Sequence, residues 1–195
     1  MLGCLRDGVF EAQSVVSISQ LNELRGVTVT PDGGLRIGAL TTVAEVASHP
    51  VIQETYAVLA QAASVVASPQ LRNQGTIGGN LCQRPRCWYF RGDYHCTRKG
   101  GDMCYALGGE NQYHGIFGGG ACVIVHPSDL APALVAIDAT VRLVGPKGAR
   151  VLPLEKFFVL PDQDVRKETV LEPGELVVEV VVPRPDPAVR SSYRK

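Results

Sequence analysis

Runs that alternate between apolar and polar residues flank a middle stretch with no period at all, and the two patterns predict different things. Val15-Val16-Ser17-Ile18 is β-branched and leads into Gln20-Leu21-Asn22-Glu23-Leu24, which predicts a short strand and then a helical turn. Val27-Thr28-Val29-Thr30 and Leu35-Arg36-Ile37-Gly38-Ala39 flank Pro31-Asp32-Gly33-Gly34, so the two runs predict a hairpin. Thr41 or Thr42 can cap a helix that begins near Val43 with help from Glu45 and ends before Pro50. Ile52, Tyr56, Leu59, Ala63 and Val66 fall near helical spacing, which predicts a single helix over 51–66 stopped by Pro69.

From Gly75 to Gly120 neither a period of 2 nor one of 3.6 is sustained. A loop of roughly 40 residues is out of place in a compact domain unless something fixes it. Order then resumes. Cys122-Val123-Ile124-Val125 predicts a strand, and 128–137 a helix capped by Ser128 with Leu130, Ala133, Leu134 and Ile137 inward. Thr140-Val141-Arg142-Leu143-Val144 and Ala149-Arg150-Val151-Leu152 form a second hairpin around Gly-Pro-Lys-Gly, burying Val141 with Leu143. Leu176 to Val182 reads as a long strand closed by Pro183. Hairpins without repeated βαβ units predict an α+β fold with a mixed, largely antiparallel sheet and flanking helices.

Composition narrows the function. The chain has 195 residues, 45% of them apolar, enough for a packed core. Nineteen basic and nineteen acidic side chains cancel, so no strong field draws in nucleic acid or an anionic bilayer. No apolar stretch reaches the roughly 18 residues of a spanning helix, and the N-terminus meets Arg6 and Asp7 too soon for a secretory signal. A soluble, cytoplasmic chain is expected, with the periplasm open if a partner carries an export signal. A core so rich in Val, Ile, Leu and Ala does not need disulfide staples, and cysteines gathered on a glycine-rich polar segment read as ligands.

Two motifs carry candidate chemistry. In Arg72-Asn73-Gln74-Gly75-Thr76-Ile77-Gly78-Gly79-Asn80, glycines let the backbone approach a cofactor, and Thr76 and Asn80 can orient a ring or phosphate. The same residues equally suit a tight structural turn with Arg72 on the surface. No strand precedes Gly75 to make a dinucleotide fingerprint. Downstream, Cys87-x8-Cys96-x7-Cys104-x17-Cys122 supplies four thiolates, the number that an iron–sulfur cubane or a tetrahedral zinc requires. The absence of C-x2-C pairs weighs against zinc. Cys82 competes as a ligand, although its place beside the glycine motif suits packing, and Cys4 suits an ordinary buried thiol. Arg84, Arg86, Arg91, Arg98 and Lys99 can balance a cluster's charge, meet a partner, or form a solvated face. His95, His114 and His126 can ligate a metal or serve as hydrogen-bonded structural residues.

Leu35-Arg36-Ile37-Gly38-Ala39-Leu40-Thr41-Thr42, the run from Ser68 to Asn80, and His126-Pro127-Ser128-Asp129-Leu130-Ala131-Pro132-Ala133-Leu134 together resemble the FAD-binding medium subunit of the xanthine dehydrogenase and carbon monoxide dehydrogenase family of molybdenum hydroxylases. The resemblance implies FAD held between a small N-terminal subdomain and a larger one. Thr76, Gly78, Gly79 and Asn80 would lie at the flavin and its phosphates, with Ser128 and Asp129 on its hydroxyl-bearing chain. Val177 would pack on the ring, and Lys195 would approach a flavin carbonyl. The loop from 81 to 122 resembles a subset, the 4-hydroxybenzoyl-CoA reductase and periplasmic aldehyde oxidoreductase flavin subunits, with an additional [4Fe-4S] cluster near the flavin. Cys87, Cys96, Cys104 and Cys122 are then its ligands.

The partners implied are a molybdenum-cofactor subunit and a small [2Fe-2S] subunit. The function implied is electron transfer between iron–sulfur centres, FAD and an external acceptor, with no catalytic side chain required of this chain. Against the family pattern, 1–25 is a remnant of the N-terminal subdomain, 26–195 is the larger subdomain, and the C-terminal subdomain is absent. One phosphate loop is missing too, with charge-assisted bonds of roughly 1.5–3 kcal/mol each, so weak or absent FAD binding in isolation is expected. The competing expectation is a non-enzymatic, metal-bound scaffold, or a truncated remnant, that docks partner subunits without FAD.

Overall fold

The computed structural model describes residues 2–118 and 120–195, so Met1 of the N-terminal stretch and Gly119 of the glycine-rich segment lie outside it. The helices are α1 (Leu2–Arg6), α2 (Val43–Ser48), α3 (Pro50–Thr55), α4 (Ala57–Ser64), α5 (Pro69–Gln74), α6 (Ile77–Leu81), α7 (Trp88–Arg91) and α8 (Leu130–Val135). The strands are β1 (Val27–Val29), β2 (Leu35–Gly38), β3 (Thr140–Gly145), β4 (Gly148–Pro153) and β5 (Leu176–Val182). They belong to two compact units, each discontinuous in sequence.

One unit comprises 18–81, 128–157 and 171–195. Its five-stranded sheet has the order β1-β2-β5-β3-β4, and every pairing is antiparallel. Both predicted hairpins form, and β5 joins them by pairing with β2 and β3. Leu35, Ile37, Val141, Leu143, Val180 and Val182 fill the buried face. On the other face Arg36 ion-pairs with Glu179 across β2 and β5.

The alternation in β5 breaks at a bulge. Arg142 pairs with Glu179 and Leu143 with Val177, so Val178 is the extra residue. Because side chains alternate with period 2, the bulge lets Val177 point inward along with Val180 and Val182. Unregistered in the ladder, Val178 gives its carbonyl to the Ala39 amide at 2.9 Å.

Against the sheet pack α6 and, through it, α8, while α2, α4 and α8 form the helical layer. Thr42 caps α2 in a capping box: its hydroxyl accepts from the Glu45 amide, and the Glu45 carboxylate accepts from the Thr42 amide. The helix expected over 51–66 is instead two, broken at Tyr56, where φ is −130° and ψ 56°. Tyr56 is 4% exposed and donates its hydroxyl to the Pro183 carbonyl at 2.8 Å. The sequence period survives because α3 and α4 bury the same stripe. Pro69 does not stop that helix either, since α4 ends at Ser64 and Pro69 opens α5 at its first turn, capped by Ser68. Tyr56→Phe should cost about 1 kcal/mol, read as a lowered denaturation midpoint with unchanged slope.

The other unit comprises 1–17, 82–127 and 158–170. It is short of regular structure: α1, α7 and brief 3-10 turns are joined by irregular chain. Two expected strands are absent. Around 15–18 the chain forms no strand, with Val15 and Val16 exposed, and 122–125 forms none although Cys122 is buried. β-branched runs satisfy strand propensity, but a strand also needs an edge to pair with. A small apolar cluster of Cys4, Phe90 and Cys96 holds this unit, with Val9, Phe10, Cys87 and Tyr105 packed around it. Cys4 is thus the buried thiol expected of it.

Candidate flavin motif and cysteine cavity

In the sheet-bearing unit the glycine-rich run forms the turn into α6. Thr42 and Thr76 bridge in antiparallel fashion, the Ile77 amide donates to the Thr41 carbonyl, and the Gly78 amide donates to the Ala39 carbonyl, both at 2.9 Å. The Thr76 hydroxyl accepts from the Gly79 amide at 3.1 Å. The amides of Ile77, Gly78 and Gly79 therefore already have partners. What this turn can offer a cofactor is the exposed Gly79, where a flat group can approach backbone without meeting a Cβ, beside the half-buried Thr76.

Gly78 is required by packing. A Cβ there would meet the Ala39 Cβ at 2.9 Å and the Ala39 carbonyl oxygen at 3.0 Å. Both are fixed, Ala39 being tied to the Val178 carbonyl on one side and to Gly78 on the other. Gly78→Ala should destabilise the fold by about 1–3 kcal/mol through overpacking, whereas at the exposed Gly79 a Cβ would meet only the Thr76 hydroxyl, at 3.1 Å, so Gly79→Ala should lower the melting temperature less.

Asn80, 7% exposed, accepts a hydrogen bond from the Ser128 hydroxyl at 2.5 Å, and Ser128 in turn accepts from the Ala131 amide at the start of α8. Ser128 thus caps α8 as expected while tying it to the glycine motif. The next residue, Asp129, accepts from the Tyr193 hydroxyl at 3.0 Å and from the Lys195 ammonium at 2.8 Å. Desolvation, followed by the Asp129 carboxylate, raises the Tyr193 phenol above its ordinary range. Hydrogen bonds thus link Thr76, Gly79, Asn80 and Ser128, and a second set links Asp129 with Lys195. Val177 lies in the core beside Leu143 and is connected through the Val178–Ala39–Gly78 backbone bonds. Tyr193 escaped the sequence reading, and only its place two residues before Lys195 could have drawn attention to it.

In the other unit, Cys87, Cys96, Cys104 and Cys122 line one cavity, with Tyr89, Phe90, Arg98, Tyr105 and His114 among the remaining walls. Cys87 precedes α7, and the amides of Phe90 and Tyr89 point at its sulfur. Burial pushes the Cys87 thiol up, the two amides oppose this, and the sulfurs of Cys122 and Cys96 push it further. Cys122 and Cys96 are therefore near enough to disfavour a thiolate at Cys87, an effect that a bound metal cation would reverse. Among the described residues no three of His, Cys, Asp or Glu converge closely enough to share one metal ion. A lone tetrahedral zinc would need its sulfurs about 3.8 Å apart, from a Zn–S bond of about 2.3 Å.

The free space between these side chains is about 20 Å³, room for one water, so a larger core requires the thiols to turn outward. His114 has neither ring nitrogen hydrogen-bonded among the described residues, and its ring lies 5.7 Å from that of Trp88. Cys82 does not line the cavity. Desolvation raises its thiol to about 11, the behaviour of a packed residue.

Comparison with known proteins identifies the family. The family model for the FAD binding domain in molybdopterin dehydrogenase matches residues 2–185, and the chain belongs to that family. It is 43% identical over 163 residues to the aldehyde oxidoreductase FAD-binding subunit of Escherichia coli, covering 82% of this chain and 51% of the relative. It is 30% identical over 181 residues to the nicotinate dehydrogenase FAD-subunit of Eubacterium barkeri, covering 93% and 47%. Among solved structures, the carbon monoxide dehydrogenase of Hydrogenophaga pseudoflava aligns with a TM-score of 0.56 and 27% identity, covering 85% of this chain and 42% of that one. The chain spans about half the length of the curated relatives it matches. No helix among the described residues is long and apolar enough to cross a membrane.

Proposed function

We propose that this chain is the flavin-bearing part of a molybdenum hydroxylase and that its cysteine segment carries a [4Fe-4S] cluster. The partners are a molybdenum-cofactor subunit and a small [2Fe-2S] subunit, and the product of the assembly is electron transfer to an external acceptor. The family supports the flavin, and the convergence of four cysteines on one cavity supports the cluster. When bound, FAD supplies the exchange between two-electron and one-electron chemistry, and the cluster supplies one-electron transfer.

The residues of this chain hold and orient. Gly79 gives the flavin backbone bare of a Cβ beside the Thr76 hydroxyl, and Asn80 and Ser128 fix that surface by their mutual bond. Gly78 keeps the turn against the sheet, and Val177 keeps the strand beneath it in the core. Lys195 brings a cation whose charge Asp129 shares; directed to a flavin carbonyl, it favours the reduced, anionic ring. Cys87, Cys96, Cys104 and Cys122 supply the thiolates of the cluster. In domain terms, 1–25 answers to a part of the small N-terminal subdomain and 26–195 to the larger one.

Extraction of cofactor from the purified protein, followed by chromatography, tests the reading. FAD recovered together with iron and sulfide is expected when the chain is purified within its assembly, the chain in isolation holding FAD weakly or not at all. Iron and sulfide without FAD would favour the alternative of a metal-bound scaffold that docks its partners.

A further inference from the structure

The unit that carries the cysteines also buries a cation without enough acceptors. Arg98 has a side chain 1% exposed, and its Nη1 donates to Glu168 at 2.5 Å and to the Lys167 carbonyl at 3.2 Å. Its Nε and Nη2 are buried with no hydrogen-bond partner among the described residues. Glu168 is shared, because its second oxygen lies 3.0 Å from Arg84 Nε. Arg98 thus shares its one carboxylate with Arg84, and while Arg84, 22% exposed at its side chain, can reach water, the Arg98 charge stays out of water incompletely neutralised, a costly state unless something anionic meets it.

Two spaces adjoin Arg98. A pocket of about 380 Å³ lies against Arg84, Lys99 and Arg166 along with Val9, Phe10 and Phe90, and these side chains offer no acceptor. The other space is the cavity of the four cysteines. Arg98 sits on the 3-10 turn that follows Cys96, and the Cys96 carbonyl accepts from both the Lys99 and the Gly101 amides. One rigid turn therefore carries both the thiol and the cation.

We infer that Arg98 sets the reduction potential of the cluster, with Glu168 regulating how much of its charge the cluster feels. The inference rests on the [4Fe-4S] reading of the cysteine cavity. The free Nε–H and Nη2–H would be available to donate to the sulfur of a bound cluster, and net charge and hydrogen bonds to sulfur are what set such potentials. Reduction adds one electron to the core and moves no proton, so the reduced core carries one more negative charge. A fixed cation stabilises that form and raises the potential.

The experiment is a redox titration of the assembled protein with mediators, followed by electron paramagnetic resonance, alongside iron and sulfide analysis. Arg98→Gln should move the potential negative, and Glu168→Gln, which leaves both cations unneutralised, should move it positive. Arg98→Lys, which keeps the charge but loses the planar fork, should fall between wild type and Arg98→Gln. A merely structural role would not produce shifts of opposite sign. If Arg98→Gln does not load iron, a wild-type potential lying below that of Glu168→Gln and above that of Arg98→Lys still supports the inference. A cluster whose potential stays put, or moves in one direction for both charge changes, overturns it. Wild-type protein without iron and sulfide overturns the cluster reading instead.

Discussion

Glu168→Ala should destabilise the cysteine-bearing unit by about 3–5 kcal/mol, the cost of breaking a buried ion pair from one side. Glu168 is 11% exposed at its side chain and faces Arg98, whose side chain is 1% exposed. Removing the carboxylate strands the Arg98 guanidinium out of water and also frees Arg84, which lies over the Phe90 ring at 5.0 Å. Arg84 is 22% exposed at its side chain and can turn to solvent, so Arg98 dominates the loss. Against a total stability of about 5–15 kcal/mol for a typical domain, such a loss leaves the unit partly open. Hydrogen exchange read by mass spectrometry should show faster exchange in 82–127 and 158–170. Glu168→Gln keeps an acceptor for the guanidinium and should lose less.

Cys104→Ser should reduce bound iron and acid-labile sulfide to background while leaving FAD in place. Serine matches cysteine in size, and Cys104 is partly exposed, so the apoprotein fold loses little from the exchange. Its oxygen is a poor substitute for a thiolate, however, and a core left on three cysteines should be held less tightly and lose its iron. Loss of the core should also lower the melting temperature, because a group bound by the folded chain alone stabilises it by mass action. Cys82→Ser is the contrast: its thiol does not line the cavity, and iron should stay at the wild-type level. Iron retained in Cys104→Ser and lost in Cys82→Ser would reassign the ligand set.

Local pattern revealed most of the sheet and little of the cysteine unit. The hairpins of β1 with β2 and β3 with β4 were legible because alternation and turn residues are neighbours in sequence. That β5 lies between them was not, since which edges pair depends on contacts far apart in the chain. Nor was the bulge at Val178, whose signal is a missed beat in a run of valines that all suit a strand. Pattern also merged α3 with α4, because the break at Tyr56 keeps the buried stripe in phase and is stabilised by a hydroxyl bond to distant Pro183.

At the candidate site, the residues of the glycine-rich turn were legible, yet their division of labour was not. Composition suggested amides open to phosphate, whereas those of Gly78 and Gly79 are used by Ala39 and Thr76. The four cysteines were readable by number and spacing, and their shared cavity is a fact of the fold. Arg98 stood among several basic residues, and nothing in the sequence marked it as the buried one, because Glu168 lies seventy positions away.

The most direct test of the account is metal and sulfide analysis of the wild-type protein purified anaerobically with its partner subunits, together with its flavin content. Iron and sulfide in equal amounts, matching one cubane per chain, with FAD recovered from the same sample, are the predicted result. Zinc in the cysteine site without iron or sulfide would contradict it.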